Sequence, residues 1–209
     1  MINPLPPRPS TLPLCDPSDP IQIAYLADHT QFVPAVVEAI WNEWKGIYVE
    51  YYSMRTLEQA IEEISRDQLN RDQLNSTYVV LIDGQLAGTA QLLTEDTPAG
   101  FHYHGTRPWL ASLYIFPPFR GRGLVKVLVE ALVRRCENWG FESCWLITQH
   151  LQQTYKKLAF RTIETCEVYA HEYTVMRRDF ARGADGKPKP ILTEEDAQAA
   201  HKLLHPEQY

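Results

Sequence analysis

The sequence lacks the features that mark secreted, membrane-spanning or nucleic-acid-binding proteins. It has four cysteines among 209 residues, which are too few for a disulfide scaffold. They form no Cys-x-x-Cys pair, so neither a zinc site nor a thioredoxin-type motif is indicated. No apolar run approaches the roughly 18 residues that span a bilayer. Lysine and arginine number 20 against 26 aspartate and glutamate residues, which disfavours general binding to nucleic acid. We therefore expect a cytoplasmic protein with reduced thiols and with neither a nucleic-acid nor a membrane partner.

The composition is that of a folded globular protein, with 44% hydrophobic and 22% charged residues. Residues 1–20 contain seven prolines and are predicted to form an extended arm. Residues 21–178 are predicted to form the folded domain, and residues 179–209 a linker and a short helix. That helix, over about 193–204, packs either on its own domain or on a second subunit of a homodimer, and the sequence leaves both arrangements open.

Strands and helices are mixed along the domain, which predicts a single α/β (α+β) sheet flanked by helices. Asp83-Gly84 separates two apolar segments and indicates a hairpin with a type I′ turn. Thr56 and Gln59 form a capping-box pattern, so a helix is expected to begin near residue 57. The predicted strands cover residues 22–28, 78–82, 85–93, 110–116, 143–148, about 161–169 and about 172–178. The predicted helices cover residues 33–44, 57 onward, 121–140 and about 151–158.

A tandem repeat occupies residues 66–75, where RDQLN is followed directly by a second RDQLN. Five residues rotate a helix by about 500°, so Leu69 and Leu74 would not share a helical face. The repeat is therefore interpreted as a duplicated, solvated extension of the second helix.

The most informative segment is an apolar strand followed by a glycine-containing turn and an amphipathic helix. The turn, residues 117–123, has the sequence PPFRGRG, and the helix after it presents Leu124, Leu128 and Leu132 on one face. The N-terminus of a helix carries unpaired N–H groups and a partial positive charge, both of which favour phosphate. Glycines also let the backbone approach a bulky phosphate group. The turn is therefore a candidate phosphate site, with a plain surface turn as the alternative.

These motifs resemble those of the GCN5-related N-acetyltransferase (GNAT) superfamily. Residues 120–125, Arg-Gly-Arg-Gly-Leu-Val, resemble the motif that opens the helix bound to the acetyl-CoA pyrophosphate. Residues 155–160, Tyr-Lys-Lys-Leu-Ala-Phe, resemble the motif whose tyrosine commonly protonates the departing CoA thiolate. The resemblance covers about residues 22–178 and implies a GNAT-like acyl-CoA N-acyltransferase fold with a mostly antiparallel sheet and acetyl-CoA as co-substrate. The residues that it assigns to the cofactor are Leu113, Tyr114, Ile115, Arg120, Gly121, Arg122, Gly123, Leu124, Val125, Lys126 and Thr148.

Three positions depart from the family pattern. Val125 stands where the family has glycine or alanine, and Thr148 stands where many members have asparagine. Ala159 replaces an expected glycine, so a left-handed backbone at this position would cost about 1 kcal/mol. These departures bear on cofactor affinity and remove no reactive group.

Acetyl transfer to an amine requires a base for the amine, a donor for the developing oxyanion and an acid for the leaving thiolate. We predict that Tyr155 is the acid and that the Ile115 N–H is the oxyanion donor. The base is predicted to be Asp96 or Glu95, which follow the third strand. The sequence also leaves open Glu43, His102 and His104, acting directly or through water.

The distribution of charge favours a cationic acceptor. Residues 38–100 carry eleven acidic and four basic side chains, whereas residues 119–140 carry five basic and two acidic ones. The expected cofactor helix is therefore basic, and the expected acceptor half of the domain is acidic.

Aromatic residues and histidines near residue 100 allow two interpretations. Phe101, Tyr103 and Trp109 are interpreted as a wall of the acceptor pocket. His102 and His104 share a strand face, but no third ligand lies in register, so no metal site is expected. Trp41 and Trp44 are interpreted as helix core rather than as pocket residues.

Three functional hypotheses follow from the sequence. The leading one is an N-acetyltransferase that moves an acetyl group from acetyl-CoA to a primary amine, in a small molecule or a peptide, by direct attack in a ternary complex. The second is a non-catalytic acyl-CoA-binding module. The third is a protein-interaction domain that uses the proline-rich arm and the C-terminal helix.

Overall fold

The computed structural model describes residues 20–51, 54–98, 101–103, 105–168 and 170–180. Within these residues, seven strands form one sheet in the order β1-β2-β3-β4-β5-β7-β6. Its neighbouring strands are antiparallel except for β4 and β5, which run parallel. The strands are β1 (Ile21–Tyr25), β2 (Ser76–Ile82), β3 (Gln85–Leu93), β4 (Trp109–Ile115), β5 (Ser143–Thr148), β6 (Arg161–Val168) and β7 (His171–Asp179), and the helices are α1 (Val33–Tyr51), α2 (Leu57–Asp67), α3 (Leu124–Asn138) and α4 (Gln152–Lys157). The predicted mixed α/β fold with a mostly antiparallel sheet is confirmed.

Apolar side chains cover both faces of the sheet. On β2, Tyr78 and Val80 lie in one core cluster together with the buried face of α3. Val79 and Leu81 alternate with them and lie in a second cluster with α1 and α2. This alternation is the period of two that a strand buried on both faces requires. None of the described helices is long and apolar enough to cross a lipid bilayer.

Two short-range predictions are confirmed by their geometry. Asp83 and Gly84 have φ values of 49° and 75°, as a type I′ hairpin turn requires. At the start of α2, the Gln59 N–H donates to Thr56 Oγ1 over 3.2 Å, and the Thr56 N–H donates to Gln59 Oε1 over 3.3 Å. Both features depend only on residues close together in the chain.

The prediction of a helical tandem repeat is wrong. Helix α2 ends at Asp67, and the segment from Gln68 to Asn75 is irregular. The Asn70 side-chain amide donates to the carbonyls of Asp67 and Asn75, over 2.9 and 2.8 Å, which folds the chain back on itself. The two copies of one sequence therefore have different conformations, because their tertiary contacts differ.

The second copy of the repeat is attached to the domain by polar contacts. Arg71 donates to Asp28 over 2.7 Å. Asp72 accepts from the Tyr25 hydroxyl over 2.9 Å and contacts the Arg135 guanidinium at 3.4 Å. Leu74, interpreted as solvated, is buried in the main core instead. The segment is a packed loop that contacts both β1, through Tyr25, and α3, through Arg135.

Helix α1 is longer than predicted and is bent. It continues to Tyr51 instead of ending at residue 44, and Trp44 has a non-helical backbone with φ −119° and ψ 19°. Trp41 is buried among the core residues, as expected. The expected proline-rich arm and C-terminal helix lie outside the described residues, whereas β7 continues to Asp179 and Phe180 lies in the core.

Helix α4 ends in a Schellman turn built around an alanine. The Phe160 N–H donates to the Tyr155 carbonyl over 3.0 Å, and the Ala159 N–H donates to the Lys156 carbonyl over 3.1 Å. Ala159 has a φ of 61°, the left-handed conformation that this turn places at its C′ residue. Helix α3 ends in the same arrangement, but with Gly140 at φ 81° in that position.

We predict that Ala159→Gly raises the free energy of unfolding by about 0.5–1 kcal/mol, because glycine adopts this conformation without a Cβ clash. The reverse change at the equivalent position, Gly140→Ala, should lower it by about 1 kcal/mol. Urea denaturation of both variants measures the two effects. A loss of stability in Ala159→Gly would contradict the assignment of strain to this residue.

Candidate active site

The sheet opens between its two parallel strands. Strands β4 and β5 pair at one position, Trp109 with Trp145, and then diverge toward their carboxyl ends. The Phe116 N–H donates to the Ala87 carbonyl over 3.0 Å. Because hydrogen-bonded and non-hydrogen-bonded pairs alternate in an antiparallel ladder, the next pair, Ile115 with Gly88, is a non-hydrogen-bonded pair. The N–H of Ile115 therefore faces the opening between β4 and β5.

A bulge in β4 shapes the edge of this opening. Gln91 pairs with Ala111 and Thr89 pairs with Tyr114, so β4 contains one residue more than β3 between these pairs. Ser112 lies within the bulge and has a φ of 48°. The bulge redirects the following residues of β4, which the sequence pattern alone did not predict.

A cavity of about 430 Å³ lies beside the bulge and the end of β5. Its lining comes from α1, α2, β3, β4, β5, α4, β7 and the loops after α1, α2, β3 and β5. The lining residues that bear on chemistry are Glu43, Trp44, Tyr48, Glu63, Gln68, Gln91, Glu95, Asp96, Ser112, Leu113, Thr148, His150, Tyr155 and Tyr173. The structure therefore brings together three parts of the chain that the sequence analysis assigned to one site: Glu95-Asp96, the end of β5 and the start of α4.

Tyr155 lies in the wall of the cavity on α4. The residue is 5% exposed and forms no hydrogen bond through its hydroxyl to another described residue. Burial raises the pKa of Tyr155, and the negative charge of Asp96 raises it further. The hydroxyl is therefore protonated at neutral pH and able to donate a proton into the cavity.

Asp96 faces the same cavity from the loop after β3. The residue is half-buried, but its carboxyl is enclosed by protein, and this burial raises its pKa to about 8, with the charge of Glu95 as the second cause. Glu95 is used differently, because its carboxylate accepts from the Thr97 hydroxyl over 2.5 Å and from the Gly105 N–H over 2.9 Å. These contacts hold the loop, so Asp96 is the better placed of the two predicted bases.

Thr148 ends β5 and lines the cavity. Its Oγ1 accepts from the Leu151 N–H over 3.1 Å, which holds the turn that leads into α4. The hydroxyl proton is left to donate to a ligand. Thr148 therefore retains the donor function of an asparagine amide at this position but not its acceptor function.

The predicted phosphate loop follows β4 directly but lies outside the cavity lining. Gly121 and Gly123 have φ values of 77° and 74° and open space where a Cβ would be. Among the described residues, no backbone carbonyl accepts from the N–H groups of residues 121–125. These exposed donors at the start of α3 suit a phosphate group.

The arginines of this loop contact the end of β4 and the loop itself. Arg120 donates through Nε to the Ile115 carbonyl over 2.9 Å and lies 5.4 Å from the Tyr114 ring. Arg122 lies 5.5 Å from the Phe119 ring, and Lys126 is exposed on the first turn of α3. Leu124 is buried in the core and Val125 packs against it, so these two contribute backbone N–H groups rather than side chains.

Two interpretations from the sequence do not hold. Phe101, Tyr103 and Trp109 are not among the residues that line the cavity; they pack around Trp145 in an apolar cluster that adjoins the cavity at Leu93 and Ile147. His102 is exposed and contacts Glu164 at 2.6 Å, also outside the cavity. His104 lies outside the described residues, and in the described part of the chain no group of three potential ligands is arranged to hold a metal ion.

Several cavity residues were not identified from the sequence. Trp44, interpreted as core, lines the cavity because the bend in α1 lies at this residue. Gln68 of the tandem repeat also lines it and accepts a hydrogen bond from the buried Gln91 side chain. The sequence could have indicated this role of Gln68 only if the end of α2 had been predicted at Asp67, because the predicted helix extended too far.

The arrangement matches a known family across most of the domain. A model of the acetyltransferase (GNAT) family matches residues 37–160, from α1 to the residue that completes the turn after α4. The chain belongs to the GNAT acetyltransferase family. The resemblance seen in the sequence motifs is thus confirmed, whereas no curated protein sequence matches the chain significantly.

Solved acetyltransferase structures share the fold of this GNAT protein. The yncA protein from Salmonella typhimurium, solved with its cofactor acetyl-CoA, is 15% identical, with 81% of this chain and 99% of that chain covered and a TM-score of 0.54. RimL, a ribosomal L7/L12 alpha-N-protein acetyltransferase in complex with CoA, is 12% identical, with 75% and 93% covered and a TM-score of 0.53. An acyl-CoA N-acyltransferase from Pseudomonas aeruginosa is 21% identical, with 76% and 97% covered and a TM-score of 0.50. At these identities the similarity concerns the fold.

We predict that Gly123→Ala weakens CoA binding about tenfold, because alanine in this left-handed conformation is strained by about 1–2 kcal/mol and displaces the loop N–H groups. Isothermal titration of CoA measures the effect. Gly46→Ala, on an open face of α1, is the matched control and should leave the dissociation constant unchanged. An unchanged constant in Gly123→Ala would remove this loop from the CoA site.

Proposed function

We propose that the protein transfers an acetyl group from acetyl-CoA to a primary amine by direct attack in a ternary complex. The observation that carries this proposal is the position of Tyr155 and Asp96 in one cavity, beside the opening between β4 and β5. The family membership and the acetyl-CoA in a structure of the same fold support it. Acetyl-CoA supplies the activated thioester, and the chain supplies the groups that move protons.

Asp96 is proposed as the base. A primary amine is protonated at neutral pH, because its pKa is about 10, and it must lose a proton before its nitrogen can form a bond to the acetyl carbon. The Asp96 carboxylate, whose pKa of about 8 lies between neutrality and that of the amine, accepts this proton at a small energetic cost. Glu95 supports the step by holding the loop and by raising the pKa of Asp96.

Tyr155 is proposed as the acid. When the carbon–sulfur bond breaks, its electron pair stays on sulfur, and the Tyr155 hydroxyl gives that sulfur its proton. The products are an N-acetylated amine and CoA with a free thiol. The attacking nitrogen becomes positively charged when it bonds to the acetyl carbon, and it then loses a second proton, which restores the Tyr155 hydroxyl through the solvent. Asp96 releases the first proton to the solvent.

The edge of β4 is proposed to hold the acetyl group. The Ile115 N–H faces the opening and is offered as the donor to the carbonyl oxygen while negative charge develops on it. Leu113 and Tyr114 line the same edge, and the loop at residues 120–126 follows it in the chain. A ligand that extends along this edge reaches the phosphate loop at one end and the cavity at the other.

Tyr155→Phe is expected to lower kcat by about a hundredfold, because general acid catalysis typically contributes this much. Acetyl-CoA affinity should change less than about twofold, since the lost hydroxyl acts only on the leaving group. Thiol release and calorimetric titration measure the two quantities. Tyr103→Phe, outside the cavity, is the control. An unchanged kcat in Tyr155→Phe would exclude Tyr155 as the acid.

The pH dependence of kcat/KM for the amine should report Asp96. The base acts when it is ionised, so kcat/KM should rise as pH increases through about 8 and level off below the pKa of the amine. Asp96→Asn should abolish this rising limb. Glu95→Gln should move it to lower pH, because the variant removes a negative charge that raises the pKa of Asp96. A rising limb that persists unchanged in Asp96→Asn would assign the base elsewhere.

A further inference from the structure

The described lining of the cavity is rich in acidic groups. It contains the four carboxyl groups of Glu43, Glu63, Glu95 and Asp96, but neither lysine nor arginine. Glu43 and Glu63 form no ion pair with another described residue. Arg66, which follows Glu63 by almost one helical turn, pairs with Asp67 at 2.7 Å and lies outside the lining. Arg66 interacts electrostatically with Glu63, but its hydrogen bonds go to Asp67. Among the described residues that line the cavity, there is thus no lysine or arginine beside the two glutamates.

Polar and aromatic groups in the same cavity also point to a ligand. Tyr155 lines the cavity, is more than nine-tenths buried, and has no hydrogen-bond partner for its hydroxyl among the described residues. Gln91 is 1% exposed, and its amide nitrogen donates to Gln68 and to Thr77, which leaves its carbonyl oxygen as an acceptor. Trp44 contributes an aromatic face at the bend of α1, and such faces attract ammonium groups.

The four carboxylates approach the cavity from two sides. Glu95 and Asp96 belong to the loop after β3, on the side that also carries the reactive groups of the proposed function. Glu43 and Glu63 belong to α1 and α2, which pack against each other in one apolar cluster. An acceptor with a single ammonium at Asp96 would leave the helix side of the cavity without a cation.

We propose that the acceptor is a short aliphatic diamine or polyamine. The reacting amine lies at Asp96 and Tyr155, and a second ammonium is bound by Glu43 and Glu63 beside the Trp44 ring. The first half of this statement rests on the proposed function, and the second half is independent of it. A volume of about 430 Å³, which must also admit the acetyl end of the cofactor, suits a small acceptor rather than a folded peptide.

Three amines with the same four-carbon chain test the proposal: 1,4-diaminobutane, 1-aminobutane and 4-aminobutanoate. We expect kcat/KM for thiol release to be at least about tenfold higher for the diamine than for the monoamine, since a hydrogen-bonded charge pair contributes about this much. The carboxylate at the far end of 4-aminobutanoate should make it the poorest of the three. Equal values for diamine and monoamine would overturn the proposal, as would a higher value for 4-aminobutanoate or for a peptide N-terminus.

Substitution of the two helix glutamates tests where the second ammonium of the diamine binds. Glu63→Gln and Glu43→Gln should each lower the ratio of kcat/KM for 1,4-diaminobutane to kcat/KM for 1-aminobutane by at least about fivefold. Glu62→Gln, exposed on the same helix and outside the cavity lining, is the matched control and should change neither value. An undiminished diamine advantage in both cavity variants would show that these glutamates do not bind the acceptor.

Direct binding separates this proposal from the proposed function. Calorimetric titration of 1,4-diaminobutane into the protein saturated with CoA should show binding that weakens about tenfold in Glu63→Gln. Such binding without thiol release would refute the transferase activity but support the diamine site. Thiol release from the monoamine, without preferential binding of the diamine, would support the activity and refute the diamine site.

Discussion

The divergence of β4 from β5 is the constraint on which the rest of the structure depends. Inside a sheet, an N–H or C=O group without a partner costs free energy comparable to a lost hydrogen bond. The protein satisfies part of this edge with its own groups, because Arg120 donates to the Ile115 carbonyl. The N–H of Ile115 remains directed at the opening. The bulge at Ser112 and the cavity beside it accompany the same divergence. A β4 strand that paired regularly with both neighbours would have no bulge and would leave no room for the cavity.

Opposite electrostatic environments lie along this opening. At the phosphate loop, exposed N–H groups, arginines and the start of α3 present positive charge. At the cavity, carboxylates predominate, and burial raises the pKa of Asp96. An anionic cofactor and the proposed cationic acceptor would therefore meet regions of complementary potential, which would favour one orientation of each. The acidic net charge of the whole chain does not show this arrangement. It becomes visible only when the charges of individual helices, strands and loops are counted separately.

Features that depend on neighbouring residues were predictable from the sequence. The type I′ turn at Asp83-Gly84 and the capping box at Thr56 each need a few adjacent residues, and the structure contains both. The same holds for the strand–turn–helix motif and for Tyr155, whose surroundings follow a family pattern. Features that depend on tertiary contacts were not predictable. The second RDQLN is irregular because Tyr25 and Arg135 engage Asp72, and Phe101 packs around a strand 44 residues further along the chain at Trp145.

The electrostatic repulsion among the acidic groups of the cavity argues that the cavity is a ligand site rather than an incidental gap in packing. Like charges that face one space destabilise a fold, and selection for stability alone would place a lysine or arginine among them. Here Arg66, which follows Glu63 on α2, pairs with Asp67 outside the cavity lining. Burial is the main cause of the raised pKa of Asp96, and the negative charge of Glu95 adds to it. A bound ammonium would relieve the repulsion, so part of the free energy that the fold gives up in the absence of a ligand is recovered when a cationic acceptor binds.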